Sequence, residues 1–167
     1  MSEPDHDLDA AVWELAQSKV VEGVLFDYCQ FVDALDIEAV SKLFAEDGEM
    51  DLGLGRVWHG RDEILKNMSC RLEQDYTHTS HHLSNIRIHF DGRERASTSS
   101  YVFAWHRQSS DGRERKLFGR YFDDLVMTAE GWKIKRRRLR AAGQDGYPRV
   151  PGHPEPFEMI PRRGRQA

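Results

Sequence analysis

Near residue 75 the spacing of apolar residues changes, and that change decides which folds are open to this chain. Up to about Glu73 the apolar residues return every three or four positions, as one face of a helix requires. Beyond Thr79 they alternate, as strands with two distinct faces require. From about Leu8 to Phe31, the positions Val12, Leu15, Ala16, Val20, Val24, Tyr28 and Phe31 share one helical face. Trp13, Val21, Leu25 and Val32 widen it. Asp36 is placed to cap a second helix over 37–44. Residues 46–49 read as a turn, a short strand is expected to start at Met50-Asp51-Leu52, and Gly53 and Gly55 bracket another turn before Val57-Trp58-His59. A third helix is predicted over 62–73, with Ile64, Leu65, Met68 and Leu72 as its stripe.

Four strand-like runs follow, at about 79–90, 96–107, 116–128 and 132–140. Asp91-Gly92, Asp111-Gly112 and Glu130-Gly131 separate them as hairpin links. Helices first and a meandering sheet afterwards is an α+β order. The expectation is one domain over 8–142, with residues 1–7 disordered and a proline-rich tail from Gly143. That tail is too rich in proline for helix or central strand. It is expected to run extended and dock through Tyr147, Val150, Phe157 and Ile160, with Arg162 to Arg165 frayed.

At 167 residues, 39% hydrophobic and 31% charged, the chain can bury one core without staples. Its net charge of −4 argues against nucleic acid as a partner. Two cysteines, Cys29 and Cys70, are too few for a disulfide framework and are read as reduced thiols on helices. The polar, acidic start does not read as a signal peptide, and no run approaches the roughly 18 apolar residues of a membrane span. Neither a membrane nor a nucleic-acid partner is therefore expected, and the expected location is the cytoplasm.

Three side-chain groups bear on chemistry. Tyr101, Phe103 and Trp105 share one face of the second long strand, as a core row or as the wall of an apolar pocket. Thr98, Ser100, Val102, Ala104 and His106 share the other. At the entrance to the first long strand stand His78, His81 and His82, where alternation sends His81, Leu83 and Asn85 one way and His82, Ser84 and Ile86 the other. Neighbours on opposite faces do not converge on a metal, and no metal site is expected. Asp33 lies at the end of the apolar face of the first helix, where an unpaired charge is costly to bury. A carboxylate held against one imidazole nitrogen fixes the tautomer and leaves the other nitrogen free to take a proton from carbon. Met50, Trp58, Phe31 and Asn85 join Tyr101, Phe103 and Trp105 as expected substrate contacts.

Leu25 to Asp36, followed by Leu43-Phe44-Ala45-Glu46-Asp47-Gly48, resembles the opening of SnoaL-like proteins of the nuclear transport factor 2-like superfamily. Thr79 to Asn85 resembles that family's histidine strand. Gly119-Arg120-Tyr121 and Gly131-Trp132-Lys133-Ile134 resemble its last two strands. The resemblance implies a cone-shaped α+β barrel, three helices packed in a strongly curved, mostly antiparallel sheet. It implies an Asp–His pair at Asp33 and His81, as in scytalone dehydratase and hexachlorocyclohexane dehydrochlorinase. Related bile-acid dehydratases add tyrosines, for which Tyr28 and Tyr121 are the candidates here.

Two departures refine this. A first-strand tyrosine of some dehydratases is replaced by Met50-Asp51-Leu52, and Met127-Thr128 stand where the dehydrochlorinase has an arginine. An arginine from Arg120 or from Arg136 to Arg138 is the alternative source. The resemblance therefore implies a lyase or isomerase that removes water or shifts a double bond in a small cyclic apolar substrate, with no cofactor. The competing reading is a non-catalytic binding protein, or a structural subunit resembling the β subunit of ring-hydroxylating dioxygenases. A homo-oligomer is expected, with a trimer favoured over a dimer.

Overall fold

The computed structural model describes residues 5–161. Helices α1 (Asp5–Asp33) and α2 (Ile37–Lys42) come first, followed by strands β1 (Phe44–Asp51) and β2 (Val57–His59) and then helix α3 (Gly60–Asp75). Four long strands complete the fold: β3 (Tyr76–Asp91), β4 (Arg95–Gln108), β5 (Glu114–Thr128) and β6 (Gly131–Asp145). All six strands form one sheet in the order β2-β1-β6-β5-β4-β3. Every pairing is antiparallel except β1 with β6. The α+β architecture is the expected one, a curled sheet holding the helices on its inner face.

Several boundaries differ from the sequence reading. Residues 46–49, expected as a turn, continue strand β1 as a bulge between the Phe44–Ile134 and Glu49–Arg136 pairs. Gly48 makes the bulge possible, because a Cβ there would lie 2.9 Å from the Ala45 carbonyl oxygen. Helix α2 accordingly stops at Lys42 rather than Phe44, capped as predicted by Asp36, which accepts from the Ala39 N–H at 3.0 Å. Helix α1 already runs at Asp5, so residues 5–7 are helical rather than disordered. Residues 1–4 and the arginines expected to fray lie outside the described residues. Strand β6 carries the domain to Asp145, three residues past the expected limit.

The buried face of α1 is also rotated from the expected one. Val21, Leu25, Tyr28, Cys29 and Val32 are buried, whereas Val12, Leu15 and Val20 are exposed. The secondary apolar stripe therefore packs on the sheet and the more regular one faces outward. Beyond the helix end, Leu35 adopts a left-handed conformation (φ 58°). The Asp36 N–H bonds the Phe31 carbonyl and the Leu35 N–H bonds the Val32 carbonyl. This is the pattern of a Schellman stop, normally held by glycine, and it fixes where the helix ends.

Under the sheet, Arg137 is fully buried with Asp123, the two joined by paired hydrogen bonds of 2.8 Å. A bulge between the Asp124–Arg136 and Leu125–Ile134 pairs switches which residues of β6 point inward, from Ile134 to Arg137, Leu139 and Ala141. That switch turns one arginine of the basic run inside while its neighbours bond to acids on the outer side. Its guanidinium lies 4.0 Å from the Tyr28 ring centroid and 4.3 Å from that of Tyr121. Removing one charge of such a pair strands the other in a low-dielectric interior. Asp123→Ala is expected to cost about 3–5 kcal/mol in urea unfolding. The double variant Asp123→Leu/Arg137→Met is expected to recover most of that loss. A cost below about 1 kcal/mol for Asp123→Ala would show that the pair is solvated.

Candidate active site

The end of helix α1 meets strand β3 through one carboxylate. Asp33 Oδ1 lies 2.7 Å from His81 Nδ1 and accepts the Thr79 hydroxyl at 2.8 Å, while Oδ2 accepts the His81 backbone N–H at 2.8 Å. The helix stop sets the height of Asp33, and alternation along β3 puts Thr79 and His81 on the same side. Burial by itself would raise the Asp33 carboxyl, but the His81 and Thr79 hydrogen bonds outweigh it and hold the group below its ordinary value. Asp33 is therefore ionised at neutral pH and accepts the proton shared with His81 Nδ1, leaving Nε2 on the far side of the ring from that bond. Among the described residues, Nε2 has no hydrogen-bond partner. The His81 side chain is 7% exposed.

His81 borders a cavity of about 440 Å³, within the size range of small-molecule sites. Tyr28 and Tyr121 form its floor, in edge-on contact at 5.8 Å between centroids. Burial pushes the Tyr28 phenol up to about 12 and the Tyr121 phenol well above its ordinary value. Both remain protonated and able to donate to a developing oxyanion. Met50 and Trp58 contribute an apolar wall.

The remaining expected substrate contacts lie elsewhere. Phe31 is partly buried and packs against the core without lining the cavity. Asn85 is exposed because it sits left-handed (φ 53°) in a bulge between the Ser84–Tyr101 and Arg87–Ser99 pairs, so the inward set shifts from His81 and Leu83 to Ile86 and Ile88. Tyr101, Phe103 and Trp105 share a face as expected, but it is the outer one. Tyr101 is 43% exposed, and Phe103 packs on the equally external Phe118 at 5.1 Å. The inner face of β4 carries the smaller residues Ser100, Val102 and Ala104, of which Ala104 lines the cavity. Arg120, a candidate catalytic arginine, is also external and bonds the Tyr101 hydroxyl at 2.6 Å.

Two members of the site were not assigned chemistry from the sequence. His106 is inward on β4, diagonal to His81 because His81 pairs with Ala104, and the two rings meet edge-on at 5.1 Å. Tyr147, from the tail, places its hydroxyl 2.7 Å from His106 Nδ1. A histidine closing a row of small inward residues was the available signal. The tail itself becomes a wall of the cavity through Tyr147, Val150 and Phe157. Its return is held by hydrogen bonds of 2.8 Å between Ala141 and both Glu158 and Ile160, and by Arg140 reaching Asp51 and Glu158.

A SnoaL-like domain model matches residues 13–138. The chain belongs to the SnoaL-like family. A Novosphingobium aromaticivorans structure with a provisional scytalone dehydratase designation is 32% identical, with a TM-score of 0.80, covering 92% of this SnoaL-like chain and 97% of that one. An uncharacterized protein of Mycobacterium tuberculosis is 28% identical over 131 residues, 76% of this chain and 86% of its own. The hexachlorocyclohexane dehydrochlorinase of Novosphingobium barchaimii is 15% identical with a TM-score of 0.73, covering 93% and 99% of the two chains, a likeness of fold. No helix among the described residues is long and apolar enough to cross a membrane.

Burial, with His81 adding to it, lowers His106 in this SnoaL-like fold to about 3. The unfolded chain would protonate this group near 6.5, so it binds more protons than the folded one between those values. Stability from a neutral His106 is full above about pH 6.5 and is lost as pH falls toward 3, by up to about 1.4 kcal/mol per pH unit. Urea unfolding at pH 7 and pH 5 is expected to show this loss, and His106→Gln is expected to flatten it. An unchanged slope in that variant would place the titration elsewhere.

Proposed function

We propose that this SnoaL-like protein is a cofactor-independent lyase or isomerase of the dehydratase type, acting on a small cyclic substrate by proton abstraction. The observation that carries the reading is the 2.7 Å Asp33–His81 contact at the edge of a largely apolar cavity. His81 Nε2 takes a proton from a carbon made acidic by a neighbouring carbonyl. Asp33 holds the ring in the required tautomer and stabilises the imidazolium as it forms. Charge developing on the carbonyl oxygen is met by phenolic hydrogen bonds from Tyr28 or Tyr121.

In elimination, the carbon–oxygen bond then breaks as the double bond forms. The proton carried by His81 leaves with the hydroxyl group as water. In isomerisation the same proton returns to a different carbon. The provisional designation of the 32% identical relative supports the first of these.

Cyclic β-hydroxy ketones are the substrates to screen, since loss of water gives a conjugated enone that absorbs in the near ultraviolet. Against a compound the wild type turns over, His81→Ala and Asp33→Asn are each expected to lower kcat by about 10²–10⁴-fold with circular dichroism unchanged. Tyr28→Phe is expected to lose less, about ten-fold. Full turnover in a folded His81→Ala protein would end the proposal.

A further inference from the structure

We infer that the substrate carries an oxyacid group, a carboxylate or a phosphate ester, which an arginine cluster at the cavity mouth receives. The inference deepens the proposed function and rests on its reading of this cavity as the substrate site. Arg56, Arg71, Arg115 and Arg149 all line the cavity, against the single carboxylate of Asp75 among the described residues. A chain with a net charge of −4 thus concentrates positive charge at one opening. Clefts with low-dielectric walls focus such a field and draw in ligands of opposite sign.

What sets these arginines apart is their partners. Most other arginines of β4–β6 are neutralised at salt-bridge distance, including Arg107, Arg136, Arg137, Arg138 and Arg140. Among the described residues, none of the four at the cavity has a carboxylate within that distance. Arg56 is held instead by carbonyl oxygens of Gly53, Leu52 and Pro156 at 2.9–3.2 Å. Arg115 lies over the rings of Tyr76 and Tyr147, at 5.8 and 5.4 Å, and its buried Nε has no partner. Arg71 stands over Trp58 at 5.9 Å with no hydrogen bond among the described residues.

Burial, and next the nearby charge of Arg71, lowers Arg56 from its ordinary value, with the charge of Asp51 opposing them in part. Guanidinium groups supported by rings and carbonyls but lacking a carboxylate retain donors for the planar, forked pairing that carboxylates and phosphates accept. The arrangement also orders the site from inside outward. His81 touches His106, His106 bonds Tyr147, and Tyr147 lies under Arg115. A substrate whose acidic group is held at Arg115 and Arg71 extends its ring toward His81, so the cluster orients as well as attracts.

Isothermal titration of the full chain with 2-naphthoate, 2-naphthyl phosphate and neutral 2-naphthol tests this. At least one anion is expected to bind about ten-fold or more tighter than naphthol, with the margin shrinking as salt is raised. The better of the two anions identifies the acidic group. Arg71→Met, at an exposed position, and Arg115→Met, which keeps the apolar stem over the tyrosines, are each expected to remove most of the margin. His81→Ala is expected to keep it. Equal or tighter binding of naphthol overturns the inference while leaving the Asp33–His81 chemistry standing. So does a margin that survives both arginine variants and disappears in His81→Ala. Turnover surviving in His81→Ala while the anion margin persists removes the proposed chemistry and leaves the anion site.

Discussion

One carboxylate joins the two halves of this molecule. Asp33 closes helix α1 and accepts three hydrogen bonds from Thr79 and His81 at the start of strand β3. Such bonds to an ionised acceptor are each worth about 1.5–3 kcal/mol, several times a surface ion pair. The same contacts that fasten the helix to the sheet thus orient the imidazole. Structure and chemistry here share one set of atoms, which is why the placement of the helix end matters. The left-handed Leu35 stops the helix one turn short of α2 and holds Asp33 level with His81.

The cavity follows from what surrounds that contact. Ala104 on β4 leaves space beside His81, two buried tyrosines backed by Arg137 floor the cavity, and the proline-rich tail walls its mouth. Proline cannot join the sheet ladder as a central strand. The tail therefore crosses the opening without extending the sheet, and among the described residues rejoins it at the Ala141–Met159 bridge. Among the described residues, the polar side chains that line the cavity are the two histidines, the tyrosine hydroxyls, Asp75, Gln108 and the arginines.

Much of this was legible in the chain. The change of period gave the order of helices and strands, Asp36 marked a cap, and the resemblance to SnoaL-like proteins pointed to Asp33 and His81. What failed were inferences that carried alternation through bulges or assigned a face its direction. Asn85 lies within such a bulge and turned outward, and the bulge at Asp124–Leu125 turned Arg137 inward. Parity correctly grouped Tyr101, Phe103 and Trp105 but could not say which face was concave. Their bulk suits the outer surface of a curved sheet, and the small residues opposite suit the inner one. His106 and the arginine cluster depend on contacts across strands and with the tail, for which a single sequence gives no register.

The claim beneath the functional account is that His81 holds its proton on Nδ1, toward Asp33, and presents an unprotonated Nε2 to the cavity. Long-range proton–nitrogen correlation spectra of the protein labelled with ¹⁵N-histidine, at neutral pH, measure that tautomer directly. The account predicts a neutral Nδ1–H form for His81, with a strongly deshielded Nδ1 proton that shifts upfield in Asp33→Asn. An Nε2–H tautomer, or a proton in rapid exchange with water and indifferent to Asp33→Asn, would contradict it.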